Sequence, residues 1–187
     1  MRDSSGSPRR MILPIWSSLL ETTPGGGLCD QGIISAASDC NETSRSNGVG
    51  FLVNKTCSPL IEDYQPISDR LALLNLKGKF SRLVFIQCYF PTLSHPDEEI
   101  LELYDNIQSI VNDIPKRDHL FFMGDFNCKL GRLQNTFPSA IGKHTPSIAN
   151  TRGELLAQFC VKNNLVVTNT MFQKKKSFYL DLTRWQD

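Results

Sequence analysis

This sequence has little net charge, no cysteine spacing of the metal-binding kind and no apolar run long enough to span a bilayer, and each shortfall removes a class of function. Lys and Arg number 20 against 19 Asp and Glu. A polyanionic partner must therefore be met by a local patch, because the whole molecule carries no strong field. The six cysteines, Cys29, Cys40, Cys57, Cys88, Cys128 and Cys160, contain no C-x-x-C pair and no zinc-ligand spacing. Two of them lie in or beside apolar strand-like runs, a pattern of reduced thiols in an intracellular protein, nuclear or cytoplasmic, and not of a disulfide framework. Sequons at Asn41 and Asn54 matter only for a secreted chain. The apolar run of residues 11–20 is interrupted by Pro14, Ser17 and Ser18 and leads to no small-residue cleavage site. No internal repeat and no basic localisation cluster is visible.

What is present suits one domain with a sizeable core, given 187 residues. Residues 1–46 are rich in Ser, Gly, Thr and Pro, contain "TTPGGG" and keep no sustained period, so they read as a poorly ordered N-terminal segment ahead of a domain over 47–187. Order begins at "GVGFLVNK", a short apolar strand opened by glycines. "DRLALLNL", the turn "KGK" and "SRLVFIQCYF" read as two long strands of a hairpin, apolar enough for both faces to be covered.

From Pro96 the period changes. Ile100, Leu103, Tyr104, Ile107, Ile110, Val111 and Ile114 keep the three-four spacing of one helix face, and Asp97, Glu98 and Glu99 stand near the N-terminus, where the helix dipole favours negative charge. "HLFFM" follows as a short buried strand and residues 128–150 as a long polar loop. Residues 153–162 form a second helix presenting Leu155, Leu156, Phe159 and Cys160, and "NLVVTN" is the next strand. That order of elements describes an α/β protein with sheet packed on helices.

The stretch "FFMGDFNCKLG", residues 121–131, puts an acid and an amide directly after an apolar run. A carboxylate at the C-terminal end of a strand can sit in the crevice where open α/β sheets hold their ligands. Ionised there, Asp125 can bind a divalent cation or orient a water, and Asn127 can donate to a phosphate oxygen. Gly, Asp and Asn are also ordinary turn formers, so the same residues read as a capped turn. Asn150 and Arg152, in "NTRGELL", stand where a helix begins. They can face DNA, or they can cap the helix and point to solvent. "QKKK", residues 173–176, can contact phosphates or form a solvated turn. His95, His119 and His144 are scattered and are assigned no chemistry.

Five blocks occur in order at domain-like spacing: "GVGFLVNK", "ISDRLALLNLKG", "QCYFPT", "MGDFNCKLG" and "NTRGELLAQFCVKNNLVVTNTMF". This series resembles the endonuclease/exonuclease/phosphatase superfamily, and within it the endonuclease domains of LINE-type (non-LTR) retrotransposons and the related craniofacial-development-protein-2-like proteins, over residues 47–176. The resemblance implies a partial four-layered α/β sandwich, two mainly antiparallel sheets flanked by helices. It implies magnesium-dependent hydrolysis of DNA phosphodiester bonds, with DNA as partner, no membrane and no small-molecule cofactor. By their motifs, Asp125 matches the acid that activates the attacking water, Asn127 the amide that holds the scissile phosphate, and Tyr89 the tyrosine that contacts that phosphate. Tyr89 reads equally as a half-buried strand aromatic. The magnesium ligand is left unassigned.

The family pattern breaks at both ends. Before Gly48 neither the family's asparagine strand nor its glutamate-bearing metal strand is recognisable, and Glu21 is the only glutamate in the first forty residues. After Lys176 the expected "TWxSPDG" block, "IDY" strand and histidine-bearing "SDH" turn are missing. Residues 178–187 can be encoded as TTC TAC CTG GAC CTC ACC AGA TGG CAA GAC, which one nucleotide later reads Ser-Thr-Trp-Thr-Ser-Pro-Asp-Gly-Lys, the missing block. The sequence thus suggests a frame slip near Ser177 and a chain truncated at both ends. Without the glutamate and histidine a water-orienting group lacks the charge that stabilises the transition state, so the copy is expected to be inactive or impaired. Two alternatives stand beside this reading: a non-catalytic remnant that binds protein or nucleic acid, and a phosphatase or phosphodiesterase of the same superfamily.

Overall fold

The computed structural model describes residues 10–14, 33–34, 48–145 and 148–173. Its strands are β1 (Arg10–Pro14), β2 (Ile33–Ile34), β3 (Phe51–Leu52), β4 (Ile61–Ser68), β5 (Leu71–Leu76), β6 (Leu83–Tyr89), β7 (His119–Asp125) and β8 (Leu165–Val167). Helix α1 (Asp97–Asp113) joins β6 to β7, and α2 (Thr151–Lys162) precedes β8.

The hairpin expected from the apolar runs is formed by β5 and β6, antiparallel from Leu71↔Cys88 to Leu76↔Leu83. All six residues of β5 are buried, as expected of a strand that is apolar except at Asn75. Strand alternation then divides the core in two. Leu71, Leu73, Val84, Ile86, Cys88, Leu120 and Phe122 face one cluster, into which α1 inserts Ile100, Leu103, Ile107 and Val111 and α2 inserts Leu156, Ala157, Phe159 and Cys160. Ala72, Leu74 and Leu76 face the other, which is completed by Val49, Phe51 and Val53. The ring of Phe51 meets that of Tyr64 edge-on, with centroids 6.3 Å apart.

Six strands form one sheet in the order β4-β5-β6-β7-β1-β8. β6 and β7 are parallel, as are β7 and β1, and β1 and β8. The α1 crossover makes the first of these pairs possible, since parallel neighbours need a long connection. β2 and β3 make a separate antiparallel ladder. The chain is therefore α/β, but the described residues form one mixed sheet and a short ladder in place of two mainly antiparallel sheets, and both helices pack on the same face. Inside the segment read as poorly ordered, residues 10–14 pair on both sides, Met11 opposite Phe121 and Val166. "MIL" is apolar enough for a central strand, and Pro14 ends it. Residues 61–68 form an edge strand that the alternation had not announced. It carries Pro66 and two register shifts, devices that blunt an exposed edge.

One ionic contact pins the far end of the sheet. Asp118, 1% exposed, accepts from the Arg82 backbone N–H at 3.2 Å and from Arg82 Nε at 2.9 Å, and its Oδ2 lies 2.8 Å from Arg82 Nη2. No helix among the described residues is long and apolar enough to cross a membrane.

Candidate functional site

β6 and β7 end side by side. Their parallel register makes Tyr89 and Asp125 partners across the ladder, so two blocks distant in sequence meet at the carboxyl edge of the sheet. The Phe90 N–H donates to the Asp125 carbonyl at 2.9 Å, extending the ladder by one step. Gly124 allows this approach. Its φ is +141°, and a Cβ there would collide with the Cys88 carbonyl of β6.

The turn after β7 is built by the residues that the sequence singles out. Asn127 has φ 44°, the left-handed region that asparagine tolerates better than most residues. Its N–H donates to Asp125 Oδ1 at 2.9 Å, and its side-chain Nδ2 donates to the Phe90 carbonyl at 2.7 Å. The carboxylate therefore caps its own turn, and the amide ties that turn to the end of β6.

Asn150 takes the capping role while it also lines the cleft, and Arg152 is turned inward. Asn150 caps α2: its Oδ1 accepts from Gly153 N and from Lys129 N, both at 2.9 Å, and so fastens the turn to the helix start. Gly153 is required there, because a Cβ would strike the Lys129 carbonyl. Arg152 is only 6% exposed. Its Nη1 donates to the Pro91 carbonyl at 2.7 Å and its Nη2 to the His95 carbonyl at 2.9 Å, with Asp97 Oδ1 3.5 Å from Nη2. It is a buried staple for the segment after β6, not a solvent-exposed cation. Of the "QKKK" run only Gln173 lies within the described residues.

These contacts frame an open cleft of about 580 Å³ lined by Thr92, Leu93, Ser94, Asp125, Asn127, Cys128, Lys129 and Asn150. Asp125, Asn127 and Asn150 are thus brought together, while Tyr89 borders Asp125 from β6. The 91–95 segment supplies hydroxyls that sequence reasoning passed over: Thr92 Oγ1 lies 2.8 Å from Ser94 Oγ and 3.0 Å from His95 Nδ1. Lys129 contributes a cation, and its place directly after "GDFNC" was the available signal. Cys128 brings no nucleophile. Burial, and then the neighbouring Asp125 charge, push its thiol up to about 12, and the same causes in the same order raise Cys88, with Cys128 adding to them.

A magnesium ion asks for octahedral oxygen coordination, usually with one or two carboxylates. Asp125 is the one carboxylate among the residues lining the cleft, and among the described residues no three of His, Cys, Asp and Glu converge on a point. The described donor set does not by itself fit the ion. Glu21 lies outside the described residues.

No protein-family model matches the chain. Craniofacial development protein 2 of Bos taurus is 35% identical to it over 136 residues, which make up 72% of this chain and 23% of that protein. Craniofacial development protein 2 of Tragulus javanicus gives the same identity over the same share of each chain. The chain spans about a quarter of the length of these curated relatives, and its similarity to them is the kinship that the comparisons establish.

Proposed function

We propose that this chain carries an endonuclease-like domain of the endonuclease/exonuclease/phosphatase superfamily, whose ancestral reaction is magnesium-dependent hydrolysis of DNA phosphodiester bonds, and that this copy is inactive or impaired. The observation that carries the reading is the register of Tyr89 with Asp125, which joins the "QCYFPT" and "MGDFNCKLG" blocks at one edge. The similarity to craniofacial development protein 2 supports the superfamily relationship.

In this reading Asp125 accepts a proton from, or orients, the attacking water, with Asn127 and Tyr89 directed at the scissile phosphate. Lys129 and the Thr92 and Ser94 hydroxyls offer donors to the flanking backbone, the kind of contact that positions a nucleic acid without reading its sequence. Impairment follows from charge. Loss of one preorganised donor to a developing oxyanion typically slows a reaction by about a hundredfold to a thousandfold, and among the described residues the cleft is lined by a single carboxylate. The second reading, a binding remnant without turnover, is favoured by the engagement of Asp125 and Asn127 with each other and with Phe90. Nicking of supercoiled plasmid in magnesium and in EDTA, beside Asp125→Ala, tests the choice. Nicking that depends on Asp125 supports the enzyme, and its absence in folded protein supports the remnant.

A further inference from the structure

We infer that Arg70 supplies a phosphate-binding cation at the Tyr89–Asp125 edge, so that a nucleic-acid backbone is held there without a metal ion. This rests on the phosphodiester reading of the site but assigns a residue and a charge that the reading leaves open.

Arg70 lies in the tight connection between β4 and β5. Its backbone N–H donates to Ser68 Oγ at 3.2 Å, and its carbonyl accepts from the Tyr89 N–H at 2.9 Å, which fixes it against the end of β6. Its guanidinium carbon sits 5.4 Å from the centroid of the Tyr89 ring. Stacking holds the guanidinium in place without using its donors. One of those donors, Nη1, is buried and has no partner among the described residues.

A guanidinium N–H withdrawn from water and left without an acceptor is costly, so the position is tuned to receive an oxygen. A phosphate oxygen is the acceptor that a planar guanidinium fits best. The arrangement also answers an electrostatic difficulty. Asp125, the register partner of Tyr89, repels a phosphate, and since the described residues offer no cluster of metal ligands, a positive charge beside that of Lys129 helps to offset it. Arg70 presents such a charge against the ring of the same tyrosine.

The test is binding of a fluorescein-labelled DNA duplex to the full chain by fluorescence anisotropy, in EDTA, over a series of salt concentrations. Binding is expected to persist in EDTA. Arg70→Gln is expected to weaken it by about tenfold and to lower the slope of log affinity against log salt by about one, while Arg70→Lys keeps most of the slope. A structural role for Arg70 moves the melting temperature but not the salt slope. If folded Arg70→Gln binds with unchanged affinity and slope, or if the unsubstituted protein binds only when magnesium is added, the inference is overturned. Should Arg70→Gln not fold, Arg70→Lys decides: retention of the slope supports the role, and loss of the slope in folded protein removes it. Nicking measured in parallel separates the two readings. Arg70-dependent binding without nicking removes the catalytic reading alone, whereas nicking insensitive to Arg70→Gln removes the Arg70 role alone.

Discussion

Asn127 holds Asp125 by its backbone and Phe90 by its side chain: its N–H lies 2.9 Å from Asp125 Oδ1 and its Nδ2 2.7 Å from the Phe90 carbonyl. The groups to which the proposed chemistry falls also build the turn, and substitutions can separate the two roles. Asn127→Gly removes the side-chain bond but accepts φ 44°, whereas Asn127→Ala also bears left-handed strain. We expect a loss of about 1 kcal/mol for the glycine variant and about 1 kcal/mol more for the alanine variant, read by urea denaturation. Equal losses would show that the backbone conformation costs nothing there.

Gly124 sets how closely β7 approaches β6. Gly124→Ala places a Cβ against the Cys88 carbonyl at a φ of +141°. The expected cost is about 3 kcal/mol or more, by the large-effect mechanisms of backbone strain and overpacking. A melting temperature like that of the unsubstituted protein would mean that the strand ends lie farther apart than described.

Arg152 stabilises the cleft from beneath. Arg152→Met leaves the Pro91 and His95 carbonyls without their donor, at an expected cost of about 3 kcal/mol. Faster hydrogen exchange should appear at the His95 amide, which donates within the same segment to the Thr92 carbonyl at 3.0 Å. Exchange confined to α2 would contradict the staple.

The shielding of Cys128 is expected to make stability fall in alkali. Cys128 ordinarily titrates at 9.0, and burial followed by the Asp125 charge raise it to about 12 in the folded chain. A raised folded value means that its contribution is complete below pH 9.0 and is lost as pH climbs toward 12. Cys128→Ser should therefore flatten the fall of stability between those limits, measured by denaturation at successive pH values. An unchanged slope would show that the thiol is not shielded.

Legibility in the sequence followed the strength of each local pattern. The β5–β6 hairpin and α1 rest on long apolar runs and a three-four period, and they stand where expected. β4 was hidden because an edge strand with Glu62, Asp63, Gln65 and Pro66 loses the alternation that marks a half-buried one. β1 was hidden by its polar surroundings, since its partners are distant in sequence and parallel pairing leaves no turn signal nearby. At the site, the acid and amide of "GDFN" announced a turn, and Asn150 announced a cap. Arg152 did not announce its burial, because that depends on carbonyls of residues 91–95 converging on it, and loops carry no period from which to read such a meeting.

The most direct measurement is nicking of supercoiled plasmid by the purified chain in magnesium, with EDTA and Asp125→Ala as companions. No more than slow nicking is expected, suppressed by EDTA and abolished by Asp125→Ala. Fast nicking, or nicking that Asp125→Ala does not change, would contradict this reading.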